Sequence, residues 1–142
     1  MIHGIGTDLL DATRIRDGLA RFGAPYAERI LAQTELAVYA TNARPAQFLA
    51  KSFAAKEALA KALGTGLREP VSLHNIAVLR DSLGKPYFEL APALTAWMAA
   101  RGIGAPHLSL SDEGDLTLAF VVVETRTFNP IQDGEHRDTK PR

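Results

Sequence analysis

The chain has 142 residues and a mass of 15.3 kDa, with 16 Lys+Arg balanced by 16 Asp+Glu, a size that suits one domain able to bury about two-thirds of its unfolded surface. It contains no cysteine, which excludes thiol catalysis, cysteine-ligated zinc and disulfides. The neutral balance gives no sign of general nucleic-acid binding. No stretch approaches the roughly 20 apolar residues of a membrane span, and no basic n-region with an apolar run opens the chain, so a cytoplasmic protein is expected.

In chain order, Ile2, Ile5 and Leu9 interleave with glycines in IHGIGTDLL, which predicts a short strand approached closely by a neighbour and ending at Asp8. Ile15, Leu19 and Phe22 recur at helical spacing from Asp11 on, with Arg14, Arg16 and Arg21 on other faces, predicting a basic amphipathic helix. Gly23-Ala-Pro25 breaks it. A brief helix is predicted over 26–31, and Thr34 with Glu35 reads as a cap introducing another to about Ala40.

The central element is the alanine-rich stretch FLAKSFAAKEALAKALGTG at 48–66. Pro45 and Gly64 mark the start and stop of a predicted helix over 45–63, with Leu49, Phe53, Leu59 and Leu63 as its apolar stripe. It carries Lys51, Lys56, Lys61 and one carboxylate, Glu57.

Beyond the Gly64-Thr65-Gly66 turn, Ile76 to Arg80 and Tyr87 to Leu90 predict a hairpin through the Ser82–Pro86 turn, with Pro86 at a strand entry. Pro92 to Arg101 predicts a helix bearing Leu94, Trp97 and Met98 on one face. His107 to Ser111 alternates, DEGD at 112–115 turns, and LTLAFVVVE at 116–124 has the composition of a central strand. The tail 127–142 lacks an apolar period and is expected to be disordered or loosely attached to the single domain 1–126. The pattern is α+β, a small antiparallel sheet with a long central helix.

Several residues are candidates for chemistry. Asp8 and Glu57, if they converge, offer the two carboxylates that Mg²⁺ usually receives from protein; the alternative is that Asp8 caps a turn while Glu57 and Lys61 form a surface i,i+4 pair of about 0.2–0.5 kcal/mol. Lys61 with Gly64 and Gly66 could receive a phosphate, yet a helix C-terminus disfavours anions and the turn reads first as a helix stop. No GxxxxGK(S/T) or GxGxxG occurs. His107, Ser109 and Ser111 share one face of a strand without a GxSxG elbow, which suits binding better than a nucleophilic relay.

Together GIGTDLL at 4–10, FAAKEALAKALGTG at 53–66, GKPY at 84–87 and HLSLSDE at 107–113 resemble the holo-acyl-carrier-protein synthases, small 4′-phosphopantetheinyl transferases of fatty acid biosynthesis. The match runs from Met1 to about Glu124. It implies transfer of 4′-phosphopantetheine from coenzyme A to a serine of apo-acyl carrier protein, with release of adenosine 3′,5′-bisphosphate. The resemblance further implies Mg²⁺ on Asp8 and Glu57, a catalytic Lys61, and coenzyme A contacts from Gly84, Lys85, Pro86, His107, Ser109 and Ser111. Glu57 would take the serine proton directly or, as the preferred route, through a metal-bound water. The same family implies a homotrimer with coenzyme A between protomers, and docking of the acidic carrier on the first helix at Arg14, with Arg16 and Arg21 adding steering. Where many relatives have a second histidine after the serine strand this chain has Asp112, so that contact does not carry over. Two rival readings are a non-catalytic coenzyme A or carrier-binding module and a structural trimer built on strand 116–124.

Overall fold

The structure is a computed structural model and describes residues 1–127; the expected disorder of the tail 127–142 lies, apart from Thr127, outside the described residues. Among the described residues five strands and five helices follow in the order β1 (Ile2–Asp11), α1 (Ala12–Phe22), α2 (Ala24–Ile30), α3 (Gln33–Tyr39), α4 (Pro45–Leu63), β2 (Ile76–Arg80), β3 (Pro86–Leu90), α5 (Pro92–Ala100), β4 (Ile103–Glu113) and β5 (Leu116–Thr125). A 3₁₀ turn, Leu73–Asn75, precedes β2. The strands form two antiparallel sheets, β1-β5-β4 and the hairpin β2-β3. The fold is α+β, and 116–124 is the central strand of its larger sheet, as its composition predicts.

The helix ends follow local chemistry. Asp11 caps α1, accepting from the backbone N–H of Thr13 at 2.9 Å, so the cap falls three residues beyond Asp8. Pro45 occupies the first turn of α4 and Gly64 closes it in the left-handed conformation, φ 76°, where a Cβ would be strained. At α3 the expected Thr34 cap is absent. That helix begins two residues earlier, with Ala32 at the cap position, and the Glu35 carboxylate reaches back to accept from the Ala32 N–H at 2.9 Å, half of a capping box.

Alternation along β1 places Gly4, Gly6, Asp8 and Leu10 on one face and Ile5, Thr7 and Leu9 on the other. The first face receives α4 at very short range. A Cβ built on Gly4 would lie 2.1 Å from the Ala62 carbonyl oxygen, and one on Gly6 2.0 Å from that of Ala58. Glycine in the strand and alanine in the helix are therefore complementary. Gly6→Ala meets backbone, which cannot rotate away, and is expected to cost about 3 kcal/mol, the upper part of the range for overpacking, read as a lower urea midpoint at unchanged slope.

α4 is buried on most of its circumference, with Leu49, Ala50, Ala54, Ala55, Lys56, Ala58, Leu59 and Ala60 all inaccessible. The apolar stripe expected of an amphipathic helix is thus too narrow a description: α4 runs through the core, between the sheet on one side and α1, α2 and β2 on others. Thr117, Ala119, Val121 and Val123 of β5 pack beneath it. The opposite face of the same sheet carries Ile5, Leu9, Leu116, Leu118 and Phe120, which are between 40% and 65% exposed. So many large apolar side chains on one flat face mark an interaction surface.

Candidate active site

The glycines that admit α4 also build the site. Asp8 lies two residues beyond Gly6 on the helix-facing side of β1, opposite Ala119 of β5. Ala58 and Ala62 are held against Gly6 and Gly4, so Glu57 and Lys61, each one residue earlier in the helix, emerge where its accessible edge passes Asp8. The Lys61 ammonium donates to the Thr7 carbonyl at 2.8 Å and to Asp8 Oδ1 at 3.3 Å. The structure therefore brings Asp8, Glu57 and Lys61 together, but not by the pairing the helix spacing suggests: the ion pair of Lys61 is with Asp8 rather than with Glu57.

Glu57 is held above the ordinary glutamate range, chiefly because it is partly buried and secondly because the Asp8 carboxylate repels its charge; Lys61 offsets part of this. With both acids ionised, the cluster carries one more negative than positive charge. That is an oxygen-only donor set with unfavourable self-repulsion, and a hard divalent cation would relieve it. Among the described residues no group of three metal-ligating side chains occurs, so a cation here would have two carboxylates from protein and further oxygens from water and ligand.

The glycine turn is mostly occupied with ending the helix. The N–H of Gly64 donates to Lys61 O, and those of Thr65 and Gly66 both donate to Ala60 O. What Gly64 and Gly66 can offer a ligand is open surface beside Lys61, since both are exposed.

β4 carries the serine strand. His107, Ser109 and Ser111 are exposed and stand opposite Val122, Phe120 and Leu118 of β5. Pairs directly across a sheet share a face, so this row lies on the outer, apolar face, whereas Asp8 is on the face covered by α4. Within one chain the serine strand and the acidic cluster are on opposite sides of a single sheet and do not form two walls of one cleft. His107 Nε2 lies 3.1 Å from a Glu124 carboxylate oxygen on the outer face.

Gly84, Lys85 and Pro86 form the tip and return of the β2–β3 hairpin. Asp81 Oδ1 accepts from the N–H groups of Leu83 and Lys85 at 2.9 Å each, and the Arg80 guanidinium donates to the Gly84 carbonyl. Beside this hairpin is a groove of about 400 Å³ lined by residues including Val38, Phe48, Lys51, Arg80, Tyr87 and Leu110. Lys51, one of its lining residues, pairs with Asp112 at 3.1 Å. The groove is absent from the sequence reading because its walls come from α3, α4 and three strands.

Lys56 was also not legible as special. It is fully buried, and its ammonium donates to Ile30 O at 2.6 Å, to Leu73 O at 2.9 Å and to the Glu35 carboxylate. Burial pushes the Lys56 ammonium down, and Glu35 opposes the shift. On α1, Arg16 pairs with Asp115 at 3.0 Å, and the Arg21 guanidinium lies over the Phe22 ring. Among the described residues Arg14 and Arg21 make no ion pair.

Residues 4–121 match the family model of the 4′-phosphopantetheinyl transferase superfamily. The holo-[acyl-carrier-protein] synthase of Thiobacillus denitrificans is 67% identical over 124 residues, covering 87% of this chain and 95% of that protein. The crystal structure of the holo-[acyl-carrier-protein] synthase of Neisseria meningitidis superposes with a TM-score of 0.86 at 50% identity, over 88% of this chain and all of that one. The Bacillus anthracis holo-(acyl-carrier-protein) synthase, solved in complex with CoA (3′,5′-ADP), gives a TM-score of 0.72 at 36% identity, over 88% of this chain and 98% of that one.

Proposed function

Because this chain belongs to the holo-[acyl-carrier-protein] synthases of the 4′-phosphopantetheinyl transferase superfamily, and is thus a transferase, we propose that it moves 4′-phosphopantetheine from coenzyme A to a serine of an apo-acyl carrier protein. The observation that carries this reading is the convergence of Asp8, Glu57 and Lys61 at the edge of α4. In the reaction the serine oxygen bonds to the β-phosphorus of coenzyme A as the bond to the bridging oxygen breaks. Adenosine 3′,5′-bisphosphate leaves, and the serine proton goes to base.

Such transfer asks the protein mainly for positioning and for stabilisation of charge on phosphoryl oxygens. Asp8 and Glu57 would hold Mg²⁺, which when bound neutralises charge on the α- and β-phosphates. The Lys61 ammonium, oriented by the Thr7 carbonyl and Asp8, offers its remaining donor direction to the same phosphates. Glu57 is the candidate base, directly or through an intervening water.

The outer sheet face supports a homotrimer in which His107, Ser109, Ser111 and the Gly84–Pro86 tip serve the acidic cluster of a neighbouring copy. A contact between opposite faces of one sheet is head to tail, and such contacts form a ring where the rotation between neighbours closes. No helix among the described residues is long and apolar enough to cross a membrane; a cytoplasmic place in fatty acid biosynthesis belongs to the same proposal.

Mixing the protein with coenzyme A, Mg²⁺ and an apo carrier should add about 340 Da to the carrier, the mass of the group moved. An unchanged carrier beside an active control enzyme would sink the reading and favour a module that binds without turnover. Docking on α1 is checked separately. Arg14→Ala and Arg21→Ala should each weaken carrier binding by on the order of 0.2–1 kcal/mol, less at high salt. Arg16→Ala should do less, because Asp115 already offsets its charge.

A further inference from the structure

Lys56 and Glu35 are both wholly inaccessible to solvent. The ammonium spends its three donors on the last carbonyl of α2, on the carbonyl of Leu73 in the 3₁₀ turn, and on Glu35 of α3. The carboxylate in turn accepts from the Ala32 N–H, from Lys56 and from the Ser52 hydroxyl, one turn earlier on α4. Among the described residues no buried side-chain polar atom is left without a partner. One ion pair thus ties α4 to three other elements.

A buried pair of this kind is weak evidence for stability, because desolvation consumes what the attraction returns and apolar replacements are often neutral or better. What a fully satisfied network does supply is a unique arrangement. Lys56 and Glu57 are adjacent on α4 and so point about 100° apart around its axis. On the opposite side of the helix the contact with Gly4 and Gly6 is made by alanine and backbone, and the polar bonds there, from Lys61 to Thr7 and Asp8, belong to the site itself. Three directional hydrogen bonds from Lys56 index both rotation and sliding of the helix.

We infer that the Lys56–Glu35–Ser52 network is a positioning device for the reaction, setting the rotation and axial position of α4 so that Glu57 and Lys61 meet Asp8. This rests on the transferase reading above. Lys56 touches neither phosphate nor metal; it acts through Glu57 and Lys61. A displacement of about 1 Å at such a site is enough to lose on the order of 10²-fold in rate.

The test is the triple variant S52A/E35L/K56M, which removes the whole network and leaves no orphaned charge. It is expected to keep its melting temperature within a few degrees of wild type, while kcat falls on the order of 10²-fold. KM for the carrier, which docks on α1, should stay within twofold. The second readout is Mn²⁺, used as a paramagnetic probe in the presence of coenzyme A: its affinity should drop at least tenfold as measured by water-proton relaxation. A folded triple variant with wild-type kcat and Mn²⁺ affinity overturns the inference. Should the triple variant fail to fold, Ser52→Ala alone decides: a several-fold loss in kcat at unchanged carrier KM supports positioning, and an unchanged kcat overturns it. A wild-type protein that neither modifies the carrier nor binds Mn²⁺ would fail the transferase reading itself, which is a separable result.

Discussion

Asp8→Asn and Glu57→Gln are each expected to lower turnover by at least about 10²–10³-fold, the cost of removing one preorganised charged group from a site that stabilises developing charge. Both substitutions keep shape and hydrogen-bonding capacity, so the loss isolates charge. The two should differ in stability. Asp8 holds the Lys61 ammonium, and its neutralisation leaves that cation without its ion pair. Glu57 is in the reverse situation: its charged form is disfavoured by burial and by Asp8. Glutamine removes that unfavourable interaction, and without divalent cation the variant should melt at or above the wild-type temperature.

The sign of the pH dependence follows. A carboxyl raised in the folded state binds protons there more readily than in the unfolded chain, so wild-type stability falls as pH rises from the ordinary value of 4.5 through the higher folded value. The Glu57→Gln protein lacks this slope, and its advantage should grow across that window and then level off. Turnover by either variant at wild-type rate and Mg²⁺ dependence would reject the assignment of these acids.

The parts of this fold that were legible in the sequence are those fixed within a few residues. Pro45 and Gly64 delimit α4 as expected, the glycines of β1 do mark a close approach, and the valine-rich run at 116–124 is the central strand. What escaped depends on partners distant in the chain. Lys61 lies one turn from Glu57, yet it pairs with Asp8, 53 residues away, because the glycines bring β1 against that edge of the helix. Lys51, Lys56 and Lys61 look alike as letters on one helix. In the fold one meets Asp112, one is sealed in the core with Glu35, and one faces the site. Spacing along a strand does assign His107, Ser109 and Ser111 to one face, but only the register with β5 shows that this face is turned away from Asp8.

That last separation leads to the most discriminating expectation. A Glu57→Gln protein and an H107A/S109A/S111A protein should each be nearly inactive if coenzyme A lies between the acidic cluster of one chain and the serine strand of the next. Each retains the half-site the other lacks. Refolded together at equal amounts, they should recover about a quarter of wild-type activity, since random assembly of a head-to-tail ring puts an intact cluster beside an intact strand at one interface in four. A site complete within one chain would give no recovery at any ratio. The same contact predicts that lysine at Leu118 or Phe120, which are 40% exposed on the outer face, places a charge in the interface core and disfavours assembly. Light scattering should then report a monomer, and turnover should fall although Asp8, Glu57 and Lys61 are untouched. A monomeric variant with full activity would show that the outer face serves something other than this reaction.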